Sequence, residues 1–284
     1  MNRQIEINVL KKMKFKNINW RVFSPPTLTL VFGIVLTIVL WRQVDSYVHK
    51  FERSRFLYFC DNIVTEVGER LEDLSRLLIA SRGLFDASIS VEYSEWAAFT
   101  KAIDYKTYHG MMGLGFIQRV PENEIDSFKS LVEKDSGFTF NIHQLNTEPH
   151  YPFRYIIRYI EPLKSNLAAR GLDVGSEPLR REAAEAAMKT GEIELTKRIS
   201  LVQDEKNIAG FLFFAPVYRT KKIPPTEAER SRDLFGWTYM PIRISELMEN
   251  ILDTANNMLD IQIFQGKANV LLDEFFLLHF LWLF

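Results

Sequence analysis

The chain has 284 residues, 47% of them hydrophobic and 13% aromatic, with a formal net charge of −1. That is enough apolar material for one large domain or two small ones beside a membrane segment. The near-zero charge excludes a whole-chain nucleic-acid binder.

Charge is unevenly placed. Residues 1–21 hold Arg3, Lys11, Lys12, Lys14, Lys16 and Arg21 against Glu6 alone, a basic tail. Residues 22–41 carry no charged side chain. About twenty helical residues reach the ~30 Å of a bilayer's hydrocarbon core, so this run predicts a transmembrane helix. Pro25 and Pro26 predict its first turn, and Arg42 can snorkel at its far end. The basic tail predicts a cytoplasmic N-terminus. Only Trp41-Arg42-Gln43 follows the apolar run; without a small-residue cleavage site, an uncleaved anchor is expected over a signal peptide. The expected location is the plasma (bacterial inner) membrane, single-pass, with the rest of the chain periplasmic or extracellular. Cys60 is the one cysteine. It cannot form an internal disulfide, and is either a buried free thiol or a bridge to a second copy.

Residues 42–84 predict a stalk helix. Val44, Val48, Phe51, Phe59, Ile63, Val67, Leu71, Leu74 and Leu78 recur mostly at steps of three and four. This stripe suits a partner helix in a homodimer, or packing on its own domain. Next come a helix over Ser94–Asp104 with Trp96 and Phe99 inward, and a strand from Gly113 to Val120. A helix over Pro121–Lys134 places Ile125, Phe128 and Leu131 inward. Alternation of Phe138, Phe140 and Ile142 predicts a half-buried strand to Leu145, and Tyr151–Ile160 a further one. Ser176 is placed to cap a helix from Glu177 to Lys189, with Pro178 in its first turn and Gly191 past its end. Glu192–Gln203 and Ala209–Tyr218 predict a hairpin with its turn at Asp204–Ile208. Lys221–Arg232, with Pro224-Pro225, reads as a loop. Leu234–Ile242 predicts a strand, Ser245–Asn256 a helix and Leu259–Phe264 a strand. Helices and strands mix without a βαβ rhythm, so the expected class is α+β with antiparallel sheets.

Between these elements stand Glu161-Pro162 with Asn166, Leu172-Asp173, Ser176-x-Pro178-x-Arg180-Arg181, Thr190-Gly191, Leu195-Thr196, Leu201-Val202-Gln203 and Pro216-Val217-Tyr218. With Arg82-Gly83-Leu84-Phe85, Gly113-Leu114-Gly115-Phe116 and Leu271-Leu272-Asp273 at the two ends, their order and spacing resemble the CHASE family. These are extracellular sensory domains of receptor histidine kinases and nucleotide cyclases. The resemblance implies a sensory domain over 85–274, with tandem PAS-like units after the stalk. The distal unit, about 105–220, would hold the ligand, and the proximal one would take about 221–274 plus earlier segments. It also implies a signalling dimer. By resemblance Arg180, Thr196, Val202 and Phe214 line the ligand pocket, with ordinary packing as the alternative for each. Asp173, Ser176, Pro178, Arg181 and Gly191 form the structural motif around the helix start and end. Arg180 stands where cytokinin-binding plant relatives carry an acidic residue that reads the purine. An arginine has donors only and suits an anion or a carbonyl-rich ligand instead. Phe214 replaces a small polar residue of the cytokinin pattern, which implies a smaller or more apolar pocket.

Catalytic motifs do not emerge. There is no Gly-x-Ser-x-Gly elbow or phosphate loop, and the five histidines show no metal-ligand spacing. No catalytic residue, metal or cofactor is assigned. The apolar run 275–284 is too short to span a bilayer, and nothing resembling a second membrane helix, kinase or cyclase follows. The expectation is a chain truncated before its effector, by a shifted frame or a shortened gene, or one with a short apolar tail that packs or dips into the interface. The reading is therefore a membrane-anchored extracytoplasmic sensor of an unnamed small molecule, dimeric through its stalk. The alternative is a stand-alone anchored dimerisation protein or a non-signalling remnant.

Overall fold

An apolar run followed by a charged amphipathic one meets no proline between Pro26 and Ala87, and residues Pro25–Ala87 form a single helix, α1. The computed structural model describes residues 25–147, 149–202 and 209–251. The basic tail, Gln203 with the turn Asp204–Ile208, the strand Leu259–Phe264, the motif Leu271–Asp273 and the tail 275–284 lie outside them.

The chain divides at Phe59/Cys60 into two units. In the first, the α1 side chains Leu28, Leu30, Phe32, Ile34, Val35, Ile38 and Leu40 are exposed around the helix. A helix apolar on every side suits lipid, and this one is long and apolar enough to cross a membrane. The Thr37 hydroxyl donates to the Gly33 carbonyl at 2.8 Å, so it carries its own partner in an apolar setting. Val44, Val48 and Phe51 of the expected stripe are exposed here.

In the second unit the stripe is buried. Ile63, Val67, Leu74 and Leu78 all enter the interior. They are joined by α2 (Tyr93–Lys101) and α3 (Ile125–Ser136). The strands are β1 (Leu114–Pro121), β2 (His143–Gln144), β3 (Phe153–Glu161), β4 (Leu172–Asp173), β5 (Glu194–Leu195), β6 (Ile199–Ser200), β7 (Ala209–Tyr218) and β8 (Leu234–Arg243). Three helices complete it, α4 (Pro178–Thr190), α5 (Glu227–Asp233) and α6 (Ile244–Leu247). All eight strands belong to one sheet of order β2-β4-β3-β1-β8-β7-β5, with β6 also on β7. Among the described residues only the β2–β4 pair is parallel. The class is α+β. β8 sits between β1 and β7.

Strand alternation sends successive residues to opposite faces. On one face Leu212, Phe214, Trp237 and Tyr239 meet Ala183, Ala184 and Ala187 of α4. The small alanines let α4 approach closely enough for the Trp237 indole to donate to the Ala184 carbonyl at 2.9 Å. On the other face Phe213, Ala215, Met240 and Ile242 meet Leu74, Leu78 and Phe85 of α1 and Trp96 of α2. The Phe85 and Phe116 rings stack with centroids 4.1 Å apart. Phe116 and Ile117 are both buried, one on each face, with a register shift in the β1–β3 pairing between them.

Several expectations need correction. Leu131 is 53% exposed and Val132 faces inward in its place, because Phe128 and Val132 share a stripe at the i, i+4 spacing. The strand expected over Phe138–Leu145 shrinks to His143–Gln144. Upstream, the Phe140 amide finds the Glu133 carboxylate at 2.9 Å instead of a neighbouring strand. Lys221–Arg232 is not all loop: Thr226 and Glu229 form a reciprocal capping box that starts α5. Of the helix expected over Ser245–Asn256, the described residues show α6 and then a turn in which Asn250 stands at φ +66; residues 252–256 lie outside the described residues. The first hairpin strand is broken into β5 and β6.

Candidate functional site

The N-terminus of α4 gathers most of the motif residues. Ser176 does not cap it. The cap is Glu177, whose carboxylate accepts from the Leu179 and Arg180 amides, both at 3.0 Å. Pro178 opens the first turn, where its missing N–H costs nothing. Gly191 closes the helix at φ +82, a left-handed position that a side chain would strain. Ser176 instead donates to the Asp173 carbonyl at 2.6 Å and accepts from the Leu145 amide at 3.0 Å.

Asp173 is the centre of this knot. Its Oδ1 accepts from the Tyr155 amide at 2.9 Å and the Gly175 amide at 3.0 Å. Its Oδ2 accepts from the Gln144 side chain at 3.3 Å. One carboxylate thus joins β3, β2 and the turn that feeds α4. Arg181 fastens the other side. Its Nε donates to the Gly175 carbonyl at 2.6 Å, its Nη2 to the Phe153 carbonyl at 3.0 Å and its Nη1 to Glu185 at 3.2 Å. The guanidinium also lies 3.5 Å over the Tyr151 ring. Asn166 plays a similar part elsewhere, donating to the Met112 and Pro162 carbonyls at 3.0 and 2.9 Å.

Arg180 differs. Its side chain is 4% exposed. Nη2 donates to the Ser200 carbonyl at 2.8 Å, while Nε and Nη1 have no hydrogen-bond partner among the described residues. Burial lowers the guanidinium from its ordinary value, and Glu177 and Tyr239 act in the other direction. Buried donors without partners are rare and costly in folded proteins.

Two spaces meet at Arg180. Inside is a cavity of about 10 Å³, whose walls include Ile157, Leu172, Leu201, Val202, Leu212 and Tyr239. Outside is a cleft of about 610 Å³ bordered by Leu145, Glu177, Leu179, Arg198, Leu201 and Val202. The Tyr239 hydroxyl is fully buried and also unpaired among the described residues. Burial pushes its ionisation far up, opposed by the charge of Arg180.

Arg180 and Val202 therefore lie together at the cleft and the cavity. Thr196 and Phe214 are not among the residues lining either space. Thr196 is buried against β7, its amide donating to the Leu212 carbonyl and its hydroxyl accepting from the Leu212 amide, both at 3.0 Å. Phe214 is fully buried in the core beneath α4. Tyr239 was not singled out from the sequence. Its one signal is a tyrosine amid the apolar alternation of β8, where a buried hydroxyl needs a partner.

The family model of the CHASE domain matches residues 90–271, more than half of the chain. The chain belongs to the CHASE domain family. CHASE domains are extracellular sensory domains of signalling receptors and are not themselves catalytic. The match spans the sheet, α4 and the cleft, and together with the apolar N-terminal part of α1 it makes this a membrane-anchored CHASE protein. A search of curated proteins found no match to the chain.

Proposed function

We propose that this CHASE protein senses a small molecule on the outer side of the membrane, that the ligand occupies the cleft at Arg180, and that its binding is passed to α1 in a homodimer. The observation that carries this reading is the buried guanidinium of Arg180, with Nε and Nη1 unpaired among the described residues, where an apolar cavity and an open cleft meet. A cleft of several hundred cubic ångströms with apolar walls and a few convergent polar groups is the usual form of a small-molecule site.

The route to α1 is short. β7 and β8 put Leu212 and Tyr239 on the cavity face, and Phe213 and Met240 on the face that packs on α1. The Thr238 hydroxyl donates to the Leu78 carbonyl of α1 at 3.3 Å. Arg70 of α1 donates to the Glu249 carbonyl, just past α6, at 2.9 Å. A ligand that favours one position of these strands also favours one setting of the helix packed behind them. The antiparallel run β3-β1-β8-β7-β5 supports a PAS-like reading of this unit. The exposed Val44, Tyr47, Val48 and Phe51 support a stalk that pairs with a second copy. The basic tail supports a cytoplasmic N-terminus.

The test uses the full chain in lipid nanodiscs. A library of small metabolites is screened by thermal unfolding against wild type and against Val202→Trp, which fills the cleft. Sensing at this site requires at least one compound that raises the wild-type Tm in a saturable manner and leaves Val202→Trp unmoved. A library in which every stabilising compound acts equally on both proteins removes the site.

A further inference from the structure

Arg180 and Tyr239 together specify more than a place. The geometry points to a ligand class: a small organic anion, whose carboxylate or equivalent oxyanion is taken by Arg180 while its apolar body lies in the cleft. This rests on the reading of the cleft as a ligand site.

The argument starts from donors and acceptors. A guanidinium carries five N–H donors and no acceptor. Nε and Nη1 of Arg180 are unpaired among the described residues. Tyr239 lines the same cavity, and its hydroxyl is also unpaired among the described residues. Arg180 offers no acceptor to the Tyr239 proton, and no bond from Arg180 to the Tyr239 oxygen forms among the described residues. The free Arg180 donors are completed by a group that accepts. An amine or ammonium ligand brings more donors and a like charge, and a carboxylate brings acceptors on two oxygens.

Charge points the same way. The acidic side chain at this site among the described residues is Glu177, with Oε2 4.0 Å from Arg180 Nε. That carboxylate is already shared between the Leu179 and Arg180 amides. Arg198 also borders the cleft. Among the described residues two cations therefore face one occupied carboxylate, a net positive lining. The Ser200 carbonyl, which holds Nη2 at 2.8 Å, is a neutral acceptor. A carboxylate forms the stronger, charge-assisted bond with a guanidinium.

Size divides the ligand. The inner cavity of about 10 Å³ has room for about one water. The anionic head thus sits at Arg180, where the two spaces meet, and the rest lies in the cleft of about 610 Å³ against Leu145, Leu179, Leu201 and Val202.

The experiment is a calorimetric titration of the full-length protein in nanodiscs at fixed ionic strength. The probes are benzoate and phenylacetate, each beside its uncharged amide, benzamide and phenylacetamide. Wild type is expected to bind the carboxylates at least about tenfold more tightly than the amides, and Arg180→Met to reduce that ratio to less than about twofold. The wild-type ratio needs no variant and stands if Arg180→Met fails to fold. Amides that bind wild type as well as the carboxylates overturn the anion assignment and leave the sensor reading in place. The same division follows if neither probe class binds while uncharged metabolites stabilise wild type and not Val202→Trp. Carboxylates that bind Val202→Trp as well as wild type overturn both.

Discussion

Arg180 and Arg181 are neighbours on α4 and have opposite roles. Arg181 bonds through Nε, Nη1 and Nη2 to Gly175, Glu185 and Phe153. Arg180 bonds through Nη2 alone, to Ser200, and is equally buried. Arg181 is tied to its neighbours through three nitrogens, and Arg180 leaves Nε and Nη1 unpaired among the described residues.

Replacing them should therefore have unequal effects. Arg181→Met strands the Gly175 and Phe153 carbonyls, and a buried acceptor left unpaired costs about 1–3 kcal/mol. A loss of about 3 kcal/mol is expected. Arg180→Met removes a buried charge that has few partners and keeps the apolar stem, so a loss under about 1 kcal/mol, or a gain, is expected. Urea unfolding of the two variants in the same nanodiscs measures both. Equal losses would mean that Arg180 is a structural residue like its neighbour.

Gly171 is expected to tolerate no side chain. It sits at φ +80, and an added Cβ would lie 2.0 Å from the Asn141 carbonyl oxygen. Its own carbonyl accepts from the His143 amide at 3.1 Å, which brings β2 beside β4. Gly171→Ala should cost more than about 3 kcal/mol, from strain and displaced backbone together. A thermal midpoint within two or three degrees of wild type would show that this loop is placed differently.

Acid should weaken the protein through Asp135. Burial raises this carboxyl, but hydrogen bonds from Tyr159, Arg158 and the Tyr93 amide outweigh it and hold it below its ordinary 3.8. The Tyr159 and Arg158 contacts are 2.6 and 2.9 Å long. A carboxyl lowered in the folded state contributes fully above its unfolded value and loses that contribution as pH falls through the folded one. Wild type should therefore lose stability below about pH 4. Asp135→Asn should be weaker at pH 7 and fall less steeply below pH 4. Parallel acid limbs for the two proteins would assign the loss to other groups.

Cys60 should react slowly. Its thiol is buried, and burial raises it above the ordinary value of 9.0. Thiolate is the reactive form, so both effects slow alkylation. Labelling by a maleimide at pH 7 should be at least about tenfold slower in the folded protein than in urea. Rapid labelling without denaturant would mean that α1 is loose at this point.

How much of this was legible in the residues can be judged element by element. The anchor and stalk needed only local information, because an uncharged run and a three-four stripe determine a helix and its apolar side wherever the chain goes. β1, β3, β7, β8 and α4 were legible for the same reason. α5 was hidden by Pro224-Pro225, although Thr226 and Glu229 carried its capping signal. The strand over Phe138–Leu145 was legible in its alternation and absent in fact, because pairing requires a neighbour and the Phe140 amide found Glu133 first.

The sequence by itself determined the family, the class, the membrane helix and the residues that gather at the start of α4. These depend on composition, short-range spacing and the order of motifs along the chain. It left Arg180 and Arg181 equivalent, and said nothing of Tyr239. Only the tertiary structure decided between them, because a buried donor counts as satisfied or not by what lies across from it. Arg181 faces carbonyls from β3 and the Val174–Ser176 turn. Arg180 faces a cavity whose other polar wall, Tyr239, comes from a strand more than fifty residues away.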